Sequence, residues 1–172
     1  METFVHELQS ATDFVRQLFA DRQINLDYSL QSVGHLDELF EHEFKQGEPI
    51  NPEGTFAQYQ GLIMTGVSGY IAQVILRNAS NARLSFEEDD ENWHVNFSLD
   101  AGNREKFIPG HQVLKRAYYG EQQELYSYVQ EAINYFKSPD ASNHCGTVSK
   151  LFFDNKTSTA KDKQWWKRWR FF

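Results

Sequence analysis

Three groups of side chains in this sequence have the types and spacing that chemistry needs. His35, Glu38 and His42 stand at i, i+3 and i+7, so a helix would project all three from one side, where imidazole and carboxylate can hold a zinc ion. Such a centre takes a further ligand from another element, and no residue pairs convincingly with these. With Glu41 beside them they read as the solvated face of a charged helix. His144 next to Cys145 puts an imidazole beside a thiol, but adjacent side chains on a polar segment do not hold a base in line with a nucleophile. Gly66-Val67-Ser68-Gly69 approaches a nucleophile elbow, lacks its G-x-S-x-G spacing and falls within a helical pattern, so Ser68 reads as a small residue that permits close packing. Phosphate-binding and dinucleotide-binding glycine patterns are absent. The expectation is therefore no catalytic residue, no metal ligand and no cofactor. The enzymatic alternative is a site gathered only by folding, with His94, His111, Tyr118 and Glu121 as its polar candidates. Tyr118, Tyr119, Tyr126 and Tyr128 read as packing residues, and Lys115 with Arg116 as a solvated basic pair.

Charge gives the stronger signal. The net charge of −7 divides into −12 over residues 1–136 and +5 over residues 137–172. The acidic part contains Glu87, Glu88, Asp89, Asp90 and Glu91 in one run, which self-repulsion keeps in solvent. The run lacks the spacing and glycine of a calcium loop, so its expected role is to solubilise a hairpin or to dock a basic partner. Residues 161–172, KDKQWWKRWRFF, hold five basic and five aromatic side chains. On a helix Trp165, Trp169 and Phe172 would share one face and Lys163, Lys167 and Arg170 the other, the pattern of a segment lying on anionic lipid; Trp166 and Arg168 add to both properties. A linear motif for a partner protein or for the acidic body is the competing reading. Nucleic acid is disfavoured because the acidic body would repel it.

These residues need elements to hold them. The organising stretch is Gly54 to Leu76, 23 residues without a charge in a chain that is 24% charged. Phe56, Tyr59, Ile63, Val67, Tyr70 and Val74 recur at helical spacing. Gly61, Gly66 and Gly69 lie on the other side, and since each costs a helix about 1 kcal/mol relative to alanine, they indicate a neighbour packed close to the backbone. The stretch is long enough for a membrane span, but Gln58, Gln60, Gln73, Thr55, Thr65 and Ser68 make it too polar, and a buried soluble helix is expected. Apolar stripes predict helices over Thr3 to Ala20, over Ser29 to Phe44 with Ser29 as N-cap, around Val113 to Tyr118 closed by Gly120, and over Glu121 to Phe136. Between them the period changes to two: Arg83 to Phe86, Trp93 to Leu99 and Glu105 to Ile108 read as a three-stranded antiparallel meander.

The segments Leu26-Asp27-Tyr28-Ser29, Leu36-Asp37 and Gly69-Tyr70-Ile71-Ala72-Gln73-Val74-Ile75 give residues 26–136 a resemblance to a bacterial family known mainly as a domain of unknown function. Trp93, Pro109, Val113 to Arg116 and Gly120-Glu121 add to it. The resemblance implies a small α+β fold and a bacterial origin, and no activity. Ala72 and Gln73 replace the glycine and acid expected after Gly69-Tyr70, which removes a catalytic carboxylate there.

The expected fold is α+β: a long buried central helix and packing helices against the meander. Residues 1–136 form one domain, 137–160 a polar linker and 161–172 a flexible basic aromatic tail. The single cysteine and a start without a signal peptide place the chain in a reducing cytoplasm. The expected function is a non-catalytic interaction domain whose acidic body binds a basic partner, an immunity-type inhibitor being one form; the alternative is a peripheral membrane adaptor anchored by the tail.

Overall fold

The computed structural model describes residues 2–86, 97–102 and 106–138. Its elements are α1 (Glu2–Ala20), α2 (Leu30–Glu43), β1 (Phe44–Lys45), β2 (Glu48–Pro49), α3 (Thr55–Gln58), α4 (Gln60–Asn78), β3 (Arg83–Ser85), β4 (Ser98–Asp100), α5 (Pro109–Tyr119), a 3-10 turn (Gly120–Gln123) and α6 (Leu125–Lys137). The fold is mostly helical α+β, with two small two-stranded antiparallel sheets among the described residues.

α4 is the axis. Every residue from Gly66 to Ala72 is buried, so this helix is enclosed around its whole circumference. α1 lies against its glycine side. A Cβ at Gly66 would overlap the Ala11 carbonyl and the Val15 side chain, and one at Gly69 would overlap the Thr12 hydroxyl. The glycines thus let two backbones approach where any side chain would separate them. Ile63, Val67, Tyr70, Ile71, Val74 and Ile75 meet Val33, Leu36 and Phe40 of α2, Val113 of α5 and Val129, Ala132 and Phe136 of α6 in one core.

The uncharged stretch is not one helix. Asn51 Oδ1 accepts from Glu53 N at 3.1 Å in an Asx turn, and Tyr59 breaks the helical path between α3 and α4 at φ −118° and ψ 26°. α2 does begin at Ser29, whose hydroxyl accepts from Ser32 N at 3.2 Å. It ends one residue early because Phe44 turns into a hairpin across Gln46 and Gly47, with φ of 51° and 84°. Two consecutive positive φ values suit the strand twist of a two-residue hairpin turn.

Among the described residues the strands form a pair. β3 and β4 align Arg83 with Asp100, Leu84 with Leu99 and Ser85 with Ser98, and the third expected segment adds one antiparallel bridge, Leu99 to Phe107. The rest of the expected meander, residues 93–96 and 105, lies outside the described residues. Pro109 opens α5 at its first position. α5 then stops at Gly120, whose φ of 72° favours glycine.

Candidate functional site

Both regions singled out by charge, Glu87 to Glu91 and Lys163 with Trp165 to Arg170, lie outside the described residues, as do Trp93, His94, His144 and Cys145. The frame of the acidic run is described. The Phe86 and Phe97 rings meet at 6.0 Å, tilted by 40°, beyond the β3–β4 pair, which brings together the two ends of the segment holding the five acids.

The described body withdraws one basic residue from solvent and ties down three others. Arg116 is 3% exposed and donates from Nε to Asp37 Oδ1 at 2.8 Å and from Nη2 to the Asp37 carbonyl at 2.9 Å. The expectation of a solvated Lys115–Arg116 pair is overturned for Arg116. Arg22 binds Glu43 at 3.2 Å and lies over the Phe56 ring, and Arg16 lies 3.6 Å from Asp13 while donating to the Leu26 carbonyl. Arg77 sits 3.9 Å above the centre of the Tyr28 ring. Arg116 alone among these is buried; Arg16, Arg22 and Arg77 make their contacts at the surface. Glu7, Asp13, Asp21, Asp27, Glu38, Glu41, Glu48, Glu53, Glu121, Glu124 and Glu131 are exposed.

Asp37 gathers part of this charge. Its two carboxylate oxygens accept from Leu125 N and Tyr126 N, each at 2.9 Å, and so cap α6 while holding Arg116 of α5. The free N–H groups and positive end of a helix favour a carboxylate there. Around this junction stand Glu38 and Glu41, on the same helix as Asp37, and Glu121 and Glu124, in and just after the 3-10 turn before α6. The four are exposed and, with α2 packed against the 3-10 turn, form one acidic face of the described body. The signal in the sequence is position: Asp37 lies four residues from Val33 and three from Phe40, on the inward stripe of α2, and Arg116 shares the inward face of α5 with Val113 and Ala117 in the same way.

A second polar knot holds the segment before α2. Tyr70 OH accepts from Tyr28 N at 2.8 Å and pairs with the Ser32 hydroxyl, while the two tyrosine rings stack at 4.9 Å. Tyr28 takes φ 64°, in the left-handed region. Burial raises the Tyr70 pKa against the opposing hydrogen bond from Ser32. The Ser29 hydroxyl and backbone N–H hold the Asp27 carboxyl below its ordinary value. These groups position backbone, and every polar atom named has an internal partner.

The remaining candidates separate. His35 Nδ1 lies 3.3 Å from Glu38 Oε2, and among the described residues no three His, Cys, Asp or Glu side chains converge as a metal centre requires. Ser68 is buried and donates to the Met64 carbonyl at 2.7 Å within its own helix. His111 and Tyr118 are half-buried on α5, and Glu121 is exposed in the turn that follows. Burial lowers the Lys115 pKa on the same helix. No helix among the described residues is long and apolar enough to cross a membrane. Comparison with known proteins found no matching family, curated protein or solved structure.

Proposed function

We propose that this chain is a non-catalytic interaction domain whose acidic body binds a basic partner protein. An immunity-type inhibitor, masking a cationic site on a toxin, is the concrete form. The observation that carries the reading is charge: residues 1–136 hold −12, Arg116 is withdrawn from solvent at the Asp37 junction, and eleven carboxylates of the described body are exposed. Complementary charge would speed encounter with a cationic partner and repel polyanions. Affinity capture from the native host followed by calorimetry tests this. The expected partner is basic, and its affinity falls at least about tenfold between roughly 0.05 and 0.5 M salt. An acidic partner, or an affinity indifferent to salt, contradicts the reading.

The second reading, a peripheral adaptor at an anionic membrane, is favoured by the five basic and five aromatic residues of 161–172. Flotation of the chain with vesicles containing anionic lipid, with and without residues 161–172, distinguishes it. Equal partitioning of the two chains removes it.

A further inference from the structure

Away from the acidic face, two arginines from different helices are gathered on one ring. The Arg77 guanidinium carbon, on α4, lies 3.9 Å from the centre of the Tyr28 ring, and that of Arg16, on α1, lies 4.9 Å from the same point. The two cations therefore stand within about 9 Å of each other. The residue they share is strained. Tyr28 has φ 64°, a conformation that a bulky aromatic residue rarely adopts and that persists only where its surroundings enforce it. Here Tyr70 OH accepts from Tyr28 N at 2.8 Å, Asn78 Nδ2 donates to the Tyr28 carbonyl at 3.4 Å, and the Tyr70 ring stacks on the Tyr28 ring at 4.9 Å. Arg16 Nε fixes the preceding turn of chain by donating to the Leu26 carbonyl at 3.3 Å.

The two positive charges are only partly answered. Contact through a ring face uses none of a guanidinium's five N–H donors. Arg77 is exposed, and among the described residues it has no carboxylate partner. The Arg16 side chain is 40% exposed, and its Nη1 lies 3.6 Å from Asp13 Oδ1, beyond hydrogen-bond length; that oxygen already accepts from Gln9 Nε2 at 3.1 Å. Asp27, next to Tyr28 in the chain, spends one carboxylate oxygen on Ser29 N at 2.9 Å.

We propose that Arg16 and Arg77 form a binding site for a phosphate dianion, either inorganic phosphate or the head of a phosphate monoester. The charges match, two against two. Charge-assisted bonds of about 2.8 Å from each side let one tetrahedral phosphate bridge guanidinium carbons about 8–9 Å apart, whereas a planar carboxylate offers one charge and two oxygens. An anion between the arginines also removes their mutual repulsion. Strain at the residue where both cations meet is the kind of feature that accumulates where backbone holds ligand-binding groups in place. The acidity of the rest of the body does not forbid the site, because charges more than about 8–10 Å away are screened at physiological salt. The site is independent of the acidic face and of any basic partner.

Nitrogen-15 spectra of the arginine Nε–H groups in the full chain test this, with inorganic phosphate and O-phosphoserine titrated separately at fixed ionic strength. The Arg16 and Arg77 signals should move together with a dissociation constant of about 1 mM. Arg77→Gln should weaken the response at Arg16 at least about tenfold, and Arg16→Gln the response at Arg77. Should either variant lose its native circular dichroism, Arg77→Lys, which keeps the charge but not the planar fork, should stay folded and still lose most of the affinity. Tighter binding of O-phosphoserine supports the site as one for monoesters, and the reverse order supports it as one for free phosphate. An equal response to acetate, no response below about 20 mM phosphate, or signals of Arg22 and Arg83 moving in step with those of Arg16 and Arg77 overturns the proposal. So does binding at Arg16 that survives the Arg77 variants.

Discussion

The α1–α4 seam and the α2–α5–α6 junction both fasten helices to one another, by opposite physics. At the seam the essential property is absence: Gly66 and Gly69 supply no side chain, and Ala11, Val15 and Thr12 occupy the space a Cβ would need. At the junction the essential property is a surplus of polar groups. One carboxylate, Asp37, answers a guanidinium and two backbone N–H groups donated by residues 79 to 89 positions away. A steric seam fails when atoms are added, whereas a charged junction fails when one group is removed and its partners stay buried. The difference also separates stability from surface chemistry, because the junction takes Arg116 out of solvent and leaves Glu38, Glu41, Glu121 and Glu124 facing it.

Removing Asp37 should be the most damaging change. Asp37→Ala leaves Arg116 buried without its carboxylate and uncaps α6, and the expected loss is about 3–5 kcal/mol by denaturant unfolding. A loss below about 1 kcal/mol would mean that the junction is not a structural joint. Gly66→Ala comes next: about 1 kcal/mol of helix propensity is gained, overlap with the Ala11 backbone outweighs it, and a net loss of about 1–3 kcal/mol is expected. If the substitution stabilises the chain, α1 does not approach α4 as described. The two sites share no partner residue, so the double variant should lose the sum within about 0.5 kcal/mol.

Tyr70→Phe is expected to cost about 1–3 kcal/mol, because the buried Tyr28 N–H loses its acceptor. Alkaline titration sharpens this. Burial raises the pKa of Tyr70 and Tyr128, so in the folded chain both phenols stay protonated after the exposed ones ionise. The unfolded chain releases those protons near pH 10, so their contribution is complete below that value and stability falls as pH rises through it. Absorbance titration should show part of the phenol ionisation coinciding with loss of circular dichroism, and Tyr70→Phe should reduce that part.

What could be read from the sequence follows the same division. Helix periodicity, the Ser29 cap, the Gly120 stop and the close approach signalled by Gly66 and Gly69 are local or one-dimensional signals, and the structure contains all of them. The Asp37–Arg116 pair was hidden because its partners are 79 residues apart and each looks like an ordinary surface charge, although both stand on inward stripes. The β1–β2 hairpin was missed because two-residue strands have no period to detect. Of the expected meander the described residues hold the β3–β4 pair and the Leu99–Phe107 bridge. As for the candidate site, sequence charge located acidity in the run Glu87 to Glu91, whereas the described body adds a second acidic face around Asp37 that only folding assembles.

The most direct test measures partner affinity and thermal midpoint on one quadruple variant, Glu38→Gln, Glu41→Gln, Glu121→Gln and Glu124→Gln. If the acidic face serves binding and the buried joints serve folding, the midpoint should move by no more than about 4 °C while affinity for the captured basic partner falls at least about tenfold. Unchanged affinity in a normally folded variant would contradict the assignment of function to this face.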